Sequence, residues 1–205
     1  FYFNQENLTL APETEMEPTD ENLLLPAFRY GTSEFLKAIG ASKVVIGVSG
    51  GIDSAVNAAL YRSILPAENI LLVNTPTRYN SELTKGLAAE LAKNLGCQLL
   101  TVPIGDFIDE TADALEGLPL PDDTVHLTGF MKENMQARDR SSRILAALSA
   151  AFGGIFTCNA NKTETTVGYG TLYGDLAGAF AATADLWKYQ IYDLGRKLNA
   201  WYGRA

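Results

Sequence analysis

The sequence of 205 residues predicts a three-layer α/β fold, a doubly wound parallel sheet between helices, on three observations. Four short apolar runs stand out: VVIGV at 44–48, NILLVN at 69–74, QLLTV at 98–102 and GIFTC at 154–158. Short continuous apolar runs rich in aliphatic and β-branched residues are what parallel strands covered on both faces look like. Helical patterns of roughly 10–25 residues separate the runs, the spacing of βαβ crossovers. A serine–glycine turn follows the first run directly, and in such sheets ligands sit at the carboxyl ends of strands.

Residues 1–22 (FYFNQENLTLAPETEMEPTDEN) mix aromatics with an acidic, proline-punctuated stretch and hold no sustained period, so they read as a tail or linker. The chain opens on Phe1, which suggests a piece of a longer polypeptide or a trimmed one. From Leu23 to Ile39, apolar residues at Ala27, Phe28, Phe35, Leu36 and Ile39 predict an amphipathic helix. Ile52 to Leu65 is helical and apolar on nearly all sides, hence a buried helix. Ser81 to Leu95 carries Leu83, Leu87, Leu91 and Leu95 down one side and stops at Gly96. A helix near Ile104–Leu115 and a Pro/Asp-rich loop precede one long helix from about Leu127 to Phe152. A last helix, anchored by Trp187, Ile191, Leu194 and Leu198, follows Lys188.

Composition narrows the chemistry. Sixteen Lys and Arg stand against twenty-four Asp and Glu, a formal charge of −8. A general nucleic-acid or anionic-membrane binder needs the opposite sign, so a polyanionic ligand must be met by local donors. Two cysteines, Cys97 and Cys158, and a single His126 fit no zinc spacing. Unpaired thiols with no export segment point to a reduced, cytoplasmic setting, and no apolar run is long enough to span a bilayer.

The turn Ser49-Gly50-Gly51-Ile52-Asp53-Ser54 joins the first strand to the buried helix. Two glycines let the backbone turn tightly and bring its N–H groups to a ligand. The following helix adds unpaired N–H donors and the positive end of its dipole, and Ser49 and Ser54 add hydroxyls. No lysine follows the glycines, so this is not the GxxxxGK[ST] loop. The bland reading is a tight strand-to-helix turn with Asp53 as a first-turn acid. The functional reading is a nucleotide or pyrophosphate site, and the turn resembles that of the PP-loop (N-type) ATP pyrophosphatases, which cleave ATP between the α- and β-phosphates.

Three further segments narrow the resemblance: ENMQARDR at 133–140, NKTE at 161–164 and GYGTLYGDLAG at 168–178, with Lys188 after them. In this order they resemble NAD synthetase, in particular the synthetase domain of the glutamine-dependent form, from residue 23 to about 199. The resemblance implies an adenine nucleotide alpha hydrolase-like, Rossmann-like fold. It implies that MgATP activates the nicotinate carboxylate of deamido-NAD as an acyl adenylate, releasing pyrophosphate, and that ammonia then displaces AMP to give NAD. It makes residues 23–205 the synthetase domain, shortened at its C-terminus relative to the family, and 1–22 the end of a missing amidotransferase domain. Ammonia would come from glutamine through that domain, or from solution, and synthetase domains are expected to pair as a homodimer or higher homo-oligomer.

By the same resemblance Asp53 and Glu164 are magnesium carboxylates on neighbouring strand ends, and with Lys188 they form the catalytic set. Gly47, Ser49, Gly50, Gly51, Asp53, Ser54, Arg78, Asn159 and Lys188 fall to ATP. Glu164, Tyr173 and Asp175 fall to deamido-NAD, together with Asn134 and Arg138. The last two are four apart and so point in nearly the same direction from a helix. On a regular helix Arg138 and Arg140 diverge too far to reach one ligand, so Arg140, with Arg143 on its face, is expected to bind phosphate elsewhere or to pair with a carboxylate. Two other readings share the turn: another PP-loop enzyme, tRNA-thiolating or GMP-forming, and a non-catalytic nucleotide-binding module. Net negative charge and the lack of a sulfur-carrying cysteine oppose the tRNA version, and a binding module has no need of metal carboxylates on two strands.

Overall fold

The computed structural model describes residues 23–77 and 82–203. The expected tail at 1–22 and the ATP-site candidate Arg78 lie outside the described residues. Four strands, β1 (Val44–Gly47), β2 (Ile70–Asn74), β3 (Gln98–Thr101) and β4 (Ile155–Phe156), form one parallel sheet in the order β3-β2-β1-β4. The chain therefore leaves β1 to one side and arrives at β4 on the other. Such a reversal opens a crevice at the strand ends.

Strand alternation splits the core in two. Val44, Ile46, Ile70 and Leu72 face one way and are at most 1% exposed. They are covered by α1 (Leu24–Ala38), α2 (Ile52–Arg62), α3 (Glu82–Leu95) and α8 (Lys188–Tyr202). Val45, Leu71 and Val73 face the other way, against Ile104 and against Ile144 and Leu145. The period of 2 sorts the side chains with no exception in β1 and β2. The three-layer α/β arrangement is thus the one the apolar runs predict. α2 is buried as expected, wedged between the sheet and α8, whose Ile191, Leu194 and Leu198 are at most 1% exposed.

Three details differ from the sequence reading. In α3 the buried face is Ala88, Ala92 and Leu95, while Leu87 is exposed. Small residues let α3 lie close to its neighbours, and the leucine spacing of four drifts off that face. β4 is two residues long: Thr157 N–H still donates to the Val45 carbonyl at 3.1 Å, but Cys158 N–H turns to Phe180 at 3.1 Å. The segment at 177–180 thereby covers the sheet edge, and Gly178 is required there, since a Cβ would stand 2.3 Å from the Cys158 nitrogen.

The third difference is the expected single long helix. It is α5 (Gly129–Arg138), a π-helical stretch at Asp139–Leu145, and α6 (Ala146–Phe152). α4 (Gly105–Leu115) lies before it, and α7 (Lys162–Val167) follows β4.

Candidate active site

A cleft of about 360 Å³ opens at the carboxyl ends of β1, β2 and β4. Its floor is the glycine turn. Gly50 takes φ +85°, which a side chain would strain. Two hydroxyls set the turn: Ser54 Oγ accepts from Ser49 N–H at 3.3 Å and donates to the Gly51 carbonyl at 3.0 Å. Ser49 Oγ in turn accepts from Gly51 N–H at 3.3 Å. No side chain caps α2, so the positive end of that helix is left to the cleft. Gly47 gives room at the strand end, where a Cβ would come 3.2 Å from Leu145 Cδ1. Its carbonyl accepts from Asn159 Nδ2 at 2.7 Å, which ties β1 to the chain leaving β4.

The charged centre spans β1 and β4. Asp53 Oδ1 accepts from Asn161 Nδ2 at 2.9 Å, and Asp53 Oδ2 pairs with Lys188 Nζ. Glu164 Oε1 lies 3.9 Å from the same ammonium. Asn161 is fully buried and caps α7: its Oδ1 accepts from Glu164 N–H at 3.2 Å, while Glu164 Oε2 accepts from Asn161 N–H at 3.1 Å. This capping box fixes where Glu164 points. Lys188 N–H donates to Thr163 Oγ1 at 2.9 Å, which pins α8 to α7. The three expected catalytic residues, from α2, α7 and α8, thus meet at one point.

Two carboxylates converging on one cation form a hard-oxygen donor set. Among the described residues no group of three or more His, Cys, Asp or Glu could cage a metal. Two carboxylates beside a phosphate-sized cleft fit Mg²⁺, which takes one or two protein carboxylates and fills the rest of its shell with phosphate and water. Burial pushes the Cys158 thiol up, which disfavours its thiolate form.

The opposite wall is α5, the π-helical stretch and the loop at 168–178. Asn134 Oδ1 accepts from Thr171 Oγ1 at 2.7 Å, and Arg138 Nε donates to the Leu172 carbonyl at 3.2 Å. Ser142 Oγ donates to the carbonyl of Tyr173, a residue at φ +62°. Asp175 Oδ1 accepts from Thr171 N–H at 3.0 Å. Gly174 lies against Ala137, 2.9 Å from where its Cβ would be. Asn134, Arg138 and Tyr173 therefore act here as loop fasteners, and none of them lines the cleft.

Gly47, Ser49, Asp53, Ser54, Asn159, Glu164 and Asp175 do line it, while Gly50 and Gly51 shape the turn beneath. Sequence reasoning missed Asn161 and expected Arg140 away from this site. Asn161, which positions Asp53, was legible in the Asn-x-x-Glu capping signature. Arg140, at the start of the π-helical stretch, lines the cleft half-buried, on the face away from the one where Arg138 meets the loop. Burial pushes its guanidinium down against the pull of Asp175 and Asp139.

The chain is similar to known proteins in sequence and fold. A glutamine-dependent NAD(+) synthetase of Thermotoga maritima is 37% identical over 190 residues, covering 91% of this chain and 32% of that protein. The chain thus spans about a third of the length of the curated relatives it matches. A solved glutamine-dependent NAD+ synthetase of Acinetobacter baumannii in complex with ADP superposes with a TM-score of 0.80 at 28% identity, covering 97% of this chain and 37% of that one. An NH3-dependent NAD synthetase of Campylobacter jejuni superposes at 0.78 and 30% identity, over 88% and 74%. A family profile described as NAD synthase matches residues 29–201, which takes in the glycine turn, the Asp53–Lys188–Glu164 centre and the loop at 168–178. By fold, site and sequence together, this chain belongs to the NAD synthase family.

Proposed function

We propose that residues 23–205 form a synthetase unit that amidates deamido-NAD to NAD at the expense of ATP. One observation carries the reading: Asp53 and Glu164, from two neighbouring strand ends, share Lys188 beside a glycine turn suited to phosphates. In the first step an oxygen of the nicotinate carboxylate bonds to the α-phosphorus and the α–β bridge breaks, so pyrophosphate leaves and an acyl adenylate remains. In the second, ammonia bonds to the acyl carbon, AMP leaves, and nitrogen gives up a proton.

Both reacting groups of the first step are anions, so their repulsion has to be offset by cations and aligned donors. Asp53 and Glu164 would hold Mg²⁺, which would supply positive charge against the phosphate oxygens. The amides and hydroxyls of the Ser49–Ser54 turn receive the departing pyrophosphate, and the Lys188 ammonium stands ready to follow the charge. Ammonia reaches the unit from glutamine, through a further domain, or from solution. No helix among the described residues is long and apolar enough to cross a membrane.

Exposed apolar side chains on α5, α7 and the loop support pairing with a second copy: Phe130, Val167, Tyr169, Leu172 and Tyr173 are all at least 66% exposed. The test supplies MgATP and deamido-NAD to the chain, with ammonium or glutamine in separate runs, and measures AMP, pyrophosphate and NAD. AMP and NAD in equal amounts in the ammonium run are expected. Binding of both substrates without any AMP would leave the non-catalytic module as the better reading.

A further inference from the structure

Three arginines stand between residues 138 and 143, and two are occupied by the protein. Arg138 donates to the Leu172 carbonyl. Arg143 forks onto Asp139, with Nη2 to Oδ2 at 2.8 Å, and lies over the Phe107 ring at 4.3 Å. Arg140 is different. It lines the cleft, and no carboxylate lies within ion-pair distance of it among the described residues. Its one hydrogen bond there, to Gln136 Oε1, is 3.5 Å long, at the outer limit of such a contact.

A half-buried guanidinium loses hydration and here gains no ion pair in return, an unfavourable state that an incoming anion would relieve. The facing wall cannot offer the same service without rearranging. Lys188 is already engaged by Asp53 and Glu164, and Asp175 adds a third carboxylate to the cleft. Among the described residues Arg140 is therefore the cation lining this cleft that no carboxylate holds at ion-pair distance, with Asp175 and Asp139 attracting it only from farther away, and its fork suits the paired oxygens of a phosphate.

We propose that Arg140 is a substrate-contacting residue, its guanidinium forking onto phosphate oxygens across the cleft from the Ser49–Ser54 turn. This rests on the reading of the cleft as a site for nucleotide phosphates. Those oxygens belong either to the triphosphate of ATP or to the pyrophosphate bridge of deamido-NAD.

Calorimetric titration of the chain with pyrophosphate, MgATP and deamido-NAD in separate arms tests it. The proteins are the unsubstituted chain, Arg140→Met, Arg140→Lys and the neighbouring control Arg143→Met, each checked by thermal melting. Arg140→Met is expected to weaken at least one of these ligands roughly 10- to 100-fold, the loss of charge-assisted hydrogen bonds. Arg140→Lys, a point charge without the fork, should recover part of that, and Arg143→Met should bind like the unsubstituted chain. Loss confined to pyrophosphate and MgATP assigns the contact to the triphosphate; loss confined to deamido-NAD assigns it to the dinucleotide.

Affinity within twofold of the unsubstituted chain for all three ligands in Arg140→Met overturns the proposal. Should that variant fail to fold, the same result in Arg140→Lys overturns the forked contact. If the unsubstituted chain binds none of the three, the nucleotide reading of the cleft fails first, and the two failures are told apart.

Discussion

On one face of the sheet α1, α2, α3 and α8 close over Val44, Ile46, Ile70 and Leu72; on the other, Val45, Leu71 and Val73 meet Ile104, Ile144 and Leu145. The first face holds most of the buried apolar side chains among the described residues, and the second is a thin layer. Each face also brings its own chemistry. The thick side delivers Asp53 from α2 and Lys188 from α8, on helices fixed by packing along their length. The thin side delivers Arg140, Ser141 and Leu145 from the π-helical stretch, and fastens a loop by side-chain hydrogen bonds to backbone carbonyls. Asp53, one of the two carboxylates proposed to hold Mg²⁺, thus sits on the rigid side, and Glu164 stands across from it on α7. The cation that meets a ligand, and the loop with Asp175, sit on the side with less to hold them.

The sharpest test of that division is Asp53→Asn. It keeps the shape of a side chain on the thick side and removes its charge. Pyrophosphate release from MgATP should fall roughly 10²- to 10³-fold, as when an aligned electrostatic group is lost from an active site, while the melting temperature hardly moves. Near-normal release would remove Asp53 from the chemistry.

Ile46→Ala should do the reverse, costing about 3–4 kcal/mol in urea unfolding because the cavity lies in a sealed core, with pyrophosphate affinity of the folded protein kept. Leu145→Ala on the thin side should cost less, about 2 kcal/mol, because its void opens into the cleft and can fill with water. The same change should loosen ligand binding, since Leu145 backs Gly47. Equal stability losses from the two truncations would break the contrast between the faces.

The smallest effect is expected from Asn134→Ala, which frees Thr171 from α5. It should cost about 1 kcal/mol of stability and lower deamido-NAD affinity with pyrophosphate affinity kept. Equal weakening of both ligands would mean that the loop and the turn are not separate devices.

The parts legible in the sequence are those governed by local rules. Apolar runs gave β1 to β3, because a strand covered on both faces must be apolar throughout. The glycines and Asp53 were legible because a tight turn that exposes amides needs them. Gly96, at φ +67°, ends α3 as its position implied. What was not legible depends on non-local geometry. β4 is clipped to two residues because the segment at 177–180 pairs beside it, a fact of tertiary contact.

Arg138 and Arg140 diverge as a helix requires, the first to Leu172 and the second to the cleft, but which face meets the cleft is set by tertiary packing. Asp-Arg-Ser-Ser-Arg-Ile-Leu carries no composition that announces a widened turn. Asn134 and Arg138 do share a face, as their spacing required, and that face meets the loop at 171–173.

The widened helical turn at Asp139–Leu145 has one more implication. Its bonds run from residue i to i+5 instead of i+4, so each turn encloses one residue more than an α-helix needs. Losing a single codon from this stretch could let the rod close without interruption, leaving strands and packing largely as they are. The residues after the lost one would then take a different bearing relative to Arg140 and α5. A family that keeps the same scaffold could in this way gain or surrender a contact through a length change far too small to disturb the architecture.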